Sequence, residues 1–72
     1  MADDDALSRL EIATDQIAQI HGAGVQTYEG KDGRWTASIE TEDKGAVVGS
    51  GFTLEQALSD LIAQARATGW AT

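Results

Sequence analysis

His21 is the only histidine of the chain, and Ser8, Ser38, Ser50 and Ser59 are its only serines. These are the groups that would move a proton or attack an electrophile. Nucleophilic catalysis needs a base within hydrogen-bond reach of the nucleophile, often on a Gly-x-Ser-x-Gly turn. Gly49-Ser50-Gly51 is shorter than that, and reads as a strand-end glycine pair ahead of a helix cap. His21 precedes Gly22 at the end of a helical pattern, where a cation meets the negative end of the helix dipole. One histidine and no cysteine leave no His–His pair and no thiolate metal site. Asp3-Asp4-Asp5 lacks the alternate spacing and distal glutamate of a calcium loop and reads as a charged helix entry. Gly30-Lys31-Asp32-Gly33 and Gly49-Ser50-Gly51 lack the full glycine pattern and following lysine of a phosphate loop. The expectation is a protein that is not an enzyme and carries no cofactor and no metal.

Binding is the chemistry that remains. Twelve acidic residues face five basic ones, for a formal net charge of −7. Binding to a phosphate backbone needs Lys and Arg, so nucleic acid is not the expected partner. Arg9, Lys31, Arg34, Lys44 and Arg66 are the only cations, although Lys31, Arg34 and Lys44 fall near strand ends. The acids are skewed toward the first helix: Asp3, Asp4, Asp5, Glu11 and Asp15 stand there against Arg9. A carboxylate-rich element suits a protein partner with a basic surface. Ile12 falls on the side of that helix away from its apolar stripe, and Trp70 stands near the C-terminus. Trp70 is either the hydrophobic contact of a helix cap or an interface anchor. The candidate partner-binding residues are therefore Asp3, Asp4, Asp5, Glu11, Ile12, Asp15 and Trp70.

Five elements have to position these residues. Ala6, Leu7, Leu10, Ala13, Ile17 and Ile20 recur at helical spacing, which predicts a helix over about residues 5–21 ending at Gly22. Ser8-Arg9-Leu10-Glu11 matches a capping box, so a start at residue 9 is also open. Val25–Glu29 is strand-forming and is followed by the turn Gly30-Lys31-Asp32-Gly33. Arg34 through Glu40 alternates, with Trp35, Ala37 and Ile39 on one face and Arg34, Thr36, Ser38 and Glu40 on the other. Glu42-Asp43-Lys44-Gly45 is a second turn, with Gly45 at a left-handed position, and Ala46–Ser50 a third strand. The strands are placed at about 24–29, 34–41 and 45–50. Thr53 and Gln56 form a capping box, Phe52 and Ala57 stand at hydrophobic-staple positions, and Leu54, Ala57, Leu58, Leu61, Ile62 and Ala65 make a stripe. That predicts a second helix over about 54–67, stopped by Gly69 with Trp70 as its cap contact.

The 72 residues form one small α+β domain in the order α-β-β-β-α. A three-stranded antiparallel meander carries both helices on one face, burying the Trp35, Ala37 and Ile39 side. Either outer strand, Val25–Glu29 or Ala46–Ser50, offers a free edge.

The order resembles the double-stranded-RNA-binding domain. The stretch from Val48 to Ala57 looks like that family's third-strand exit and second-helix start. The chain also resembles the HicB antitoxin family through Tyr28-Glu29, Asp32-Gly33, Trp35 and Gly51-Phe52-Thr53-Leu54-Glu55-Gln56-Ala57-Leu58. The resemblance implies the fold and, in antitoxin-type proteins, a protein partner. RNA-binding members carry a lysine cluster where this chain has Leu54-Glu55-Gln56-Ala57-Leu58.

The expected function is a small, acidic protein-binding module of phage or antitoxin type. It would act as an inhibitor that sequesters a basic, nucleic-acid-handling protein, an anti-CRISPR or other anti-defence role falling within this class. The alternatives are a structural homo-oligomer subunit and a nucleic-acid-binding domain. A chain this small buries barely enough apolar surface to offset its ordering entropy, so a homodimer or tight partner is expected. No stretch is apolar enough to span a membrane, and Met1-Ala2-Asp3-Asp4-Asp5 is unlike a secretory signal, so the expected compartment is cytoplasmic.

Overall fold

A computed structural model describes residues 2–42 and 45–70, with side chains from Ala6 onward. Helix α1 (Ala2–Ile20) is followed by strands β1 (Val25–Glu29), β2 (Trp35–Thr41) and β3 (Gly45–Gly51), then by helix α2 (Leu54–Ala67). The strands form one antiparallel sheet in the order β1-β2-β3. The fold is therefore α+β in the predicted order, with each strand boundary within one residue of its expected place and α2 matching over its full length.

α1 begins at Ala2, three residues earlier than expected, and the Ser8–Glu11 capping box is not used as a start. Its buried stripe is Thr14, Ile17 and Ala18, with Leu7, Leu10 and Ala13 partly buried against the core. Ile20, expected in that stripe, is 62% exposed. At about 100° per residue, Ala18 and Ile20 flank the stripe on opposite sides. Ala18 is buried in the core, whereas Ile20 falls outside it. Thr14 is tolerated in the core because its hydroxyl donates to the carbonyls of Leu10 (2.9 Å) and Glu11 (3.0 Å), leaving no unmet polar group.

The core lies between the sheet and the helices. Ala37 and Ile39 of β2 and Val47 of β3 meet Ala57, Leu58, Leu61, Ile62 and Ala65 of α2, with Ile17 and Ala18 from α1. Trp35 is half-buried at its margin, on the expected face. α2 rests directly on β3 because Gly49 has no side chain. A Cβ there would fall inside the van der Waals reach of the Leu61 amide nitrogen and 2.6 Å from the Ala57 carbonyl oxygen.

Both helices end in the same motif. The Ala23 N–H donates to the Ala18 carbonyl (2.8 Å) and the Gly22 N–H to the Gln19 carbonyl (3.0 Å). The Trp70 N–H donates to the Ala65 carbonyl (2.7 Å) and the Gly69 N–H to the Arg66 carbonyl (3.3 Å). These are two Schellman motifs, each turning through a glycine of positive φ, Gly22 at 68° and Gly69 at 82°. At its other end α2 is capped by Thr53 as expected, the Gln56 N–H donating to Thr53 Oγ1 (3.1 Å). The return bond of the capping box is not made to Thr53: Gln56 Oε1 accepts from the Phe52 N–H (2.9 Å). The expected staple does not form, because Phe52 is 68% exposed. Strand alternation carries Phe52 to the face opposite α2, where the Arg34 guanidinium lies 5.1 Å from its ring centre.

Candidate functional site

α1 packs chiefly on α2 and touches β1 only lightly. A groove of about 390 Å³ therefore remains between α1 and β1. Glu11, Ile12, Thr14 and Asp15 form its helical wall, Val25 and Thr27 its strand wall, and Leu54 and Leu58 its α2 wall. Three candidate residues, Glu11, Ile12 and Asp15, are thus brought together on this one feature. Ile12 is 57% exposed there. The Asp15 carboxylate accepts a hydrogen bond from the Gln19 side-chain amide (2.9 Å), which orients it. The side chains of Asp3, Asp4 and Asp5 lie outside the described residues, although their backbone belongs to the first turns of α1.

Trp70 belongs to the interior rather than to an exposed surface. It is 4% exposed and forms part of the core cluster. Its carbonyl accepts a hydrogen bond from His21 Nε2–H (2.7 Å), and the two rings lie 4.8 Å apart at 55°. The indole is the cap contact that ties the C-terminal ends of the two helices together. His21 is the other half of that tie, so the helix-end reading of the histidine gains a named partner.

The groove opens beside an unpaired strand edge. The Gly30 N–H donates to the Arg34 carbonyl (2.7 Å), and β1 pairs with β2 so that Tyr28 faces Thr36 and Gln26 faces Ser38. The ladder bonds of β1 therefore fall on its even-numbered residues. The backbone groups of Val25, Thr27 and Glu29 point outward. The other edge is different. The Ser50 N–H donates to Asp60 Oδ2 (3.0 Å), and the Phe52 N–H to Gln56 Oε1 (2.9 Å). Both acceptors come from α2, which thus covers the end of β3. Residue types alone left the two edges equivalent; the signal that separates them is a pair of acceptors, Gln56 and Asp60, one turn apart on α2.

The sheet face away from the helices also differs from its sequence reading. Thr36, Ser38 and Glu40 of β2 lie there as expected. Tyr28 and Val48 flank them as exposed apolar side chains. The register places Tyr28 opposite Thr36 and Val48 opposite Ser38.

Among the described residues, no helix is long and apolar enough to cross a membrane. No protein-family model, curated protein or solved structure matches the chain.

Proposed function

We propose that the chain is a non-catalytic protein-binding module that holds a basic protein partner in the groove between α1 and β1. The observation that carries this reading is the convergence of Glu11, Ile12 and Asp15 on one cavity. Two carboxylates beside an exposed isoleucine and a wall of Leu54 and Leu58 combine charge attraction with apolar burial. The net charge of −7 adds long-range steering of a basic partner. The partial likeness to HicB antitoxins supports the same class, an inhibitor that sequesters a nucleic-acid-handling protein, with phage anti-defence proteins as another setting. The cytoplasm is the compartment where such a partner would be met.

The test is affinity capture of partners at low and at high salt, comparing the wild type with Glu11→Gln/Asp15→Gln. A basic partner bound directly, released by salt and weakened about tenfold or more in the double variant supports the reading. Equal affinity of the two proteins for that partner rejects the groove as its site. A homo-oligomer larger than a dimer with no other protein bound favours the structural-subunit reading.

A further inference from the structure

We infer that the outer edge of β1 receives an extended, Lys- or Arg-bearing segment of the partner protein as a fourth, antiparallel strand of the sheet. This inference rests on the reading of the groove as a basic-partner site, and it specifies the conformation in which the partner binds.

Three observations carry it. Asp60 and Gln56 engage the outward amides of Ser50 and Phe52 at the end of the β3 edge, whereas Val25, Thr27 and Glu29 present outward backbone groups along the length of β1. Those backbone groups would give an added strand its affinity whatever its sequence. Residues of an added strand opposite Val25, Thr27 and Glu29 share their face of the sheet, and that face is the groove side. Every second side chain of the segment would thus be presented to Glu11, Ile12 and Asp15. The charge there selects the occupant. Glu11, Asp15 and Glu29 are exposed carboxylates around the edge. A Lys or Arg opposite Glu29 makes a favourable cross-strand pair, and an apolar residue opposite Thr27 would meet the wall that carries Ile12. A second copy pairing through β1 would instead set two such acidic walls side by side, on chains of net charge −7 each.

The experiment uses the full chain, labelled for amide hydrogen exchange by NMR, and an acetylated, amidated probe peptide, Lys-Thr-Val-Thr-Lys-Thr-Lys. A matched peptide carries N-methyl groups on its central valine and lysine, which keeps the charge and removes strand donors. The expected result is new protection at the amides of Val25, Thr27 and Glu29. Gln26 and Tyr28, already bonded to β2, should be unchanged. Affinity should fall about tenfold or more for the methylated peptide, the loss of two hydrogen bonds of roughly 1 kcal/mol each. Thr27→Pro, which removes one such bond, should lower affinity about fivefold. The Thr27 N–H makes no ladder bond, so an edge proline there removes only the outward donor. Equal binding of both peptides, sensitive to Glu11→Gln/Asp15→Gln, overturns strand addition and leaves the charged-groove reading standing. No binding of either peptide at low salt overturns both. Protection of the same three amides without peptide, rising with protein concentration, assigns the edge to a second copy and overturns the inference.

Discussion

The two edges of this three-stranded sheet are made by the same meander, yet they end in opposite states. At β3, the helix that follows lies directly on the strand, and its side chains reach over to bind the outward amides of Ser50 and Phe52. At β1, the helix that precedes stands off, and a groove of about 390 Å³ separates it from the strand. The cause is side-chain size at the helix–sheet contact. β3 offers Gly49 and Gly51 to α2, so helix and strand backbones meet. β1 offers Val25, Thr27 and Glu29 on the same face, which hold a helix at the distance of full side chains. An exposed edge is a liability that proteins ordinarily close. Here α2 closes the end of one edge, and the other stands open beside an acidic groove.

The change that should disturb this contrast most is Gly49→Ala. The added methyl has no room between β3 and the α2 backbone, so α2 must lift off the sheet. The expected cost is more than about 3 kcal/mol, a large part of the stability of a domain this small. Thermal unfolding followed by circular dichroism should show a broad or missing transition. Gly24→Ala, where nothing lies within 4 Å of the new Cβ, should melt within about 0.5 kcal/mol of wild type. Equal melting of the two variants would mean that α2 does not rest on Gly49.

Element order, strand limits and α2 were legible because alternation in β2, the Thr53–Gln56 cap and the Gly69 stop are local signals. The candidate site was legible only in part. Glu11, Ile12 and Asp15 were identified as a charged and apolar helix face, but the cavity they line depends on how far α1 stands from β1, which no local pattern encodes. Ile20 and Phe52 were misplaced for different reasons: Ile20 sits at the rim of the helical stripe and falls outside it, and Phe52 follows the strand alternation to the face opposite α2. Trp70 had two open readings, and its contact with His21, forty-nine positions earlier, is a tertiary fact.

A smaller effect tests the closed edge alone. Asp60→Ala removes the acceptor of the Ser50 N–H and returns that amide to solvent. The expected cost is about 0.5–1.5 kcal/mol, and Ser50 should exchange faster while Phe52, held by Gln56, keeps its protection. Thr53→Ala, which removes the acceptor at the start of α2, should cost about 1 kcal/mol by the same melt. Unchanged exchange at Ser50 in Asp60→Ala would show that the β3 edge is not closed by α2, and the contrast between the edges would lose half its basis.

The smallest effect belongs to the open side. Ile12 is more than half exposed on the groove wall, so Ile12→Ala should alter stability by less than about 0.5 kcal/mol. Ile17, five residues along the same helix and 8% exposed, provides the scale, since Ile17→Ala should cost about 2–5 kcal/mol. The pair separates two states of α1. With the helix standing off β1, the two isoleucines differ by several-fold in cost. If α1 instead settled onto β1 in solution, Ile12 would be covered by Val25 and Thr27, and its removal would cost more than about 1 kcal/mol. That outcome would close the groove and remove the acidic wall from the reach of a strand at the β1 edge. A near-silent Ile12→Ala leaves the isoleucine with no structural task in the chain itself and available for a partner.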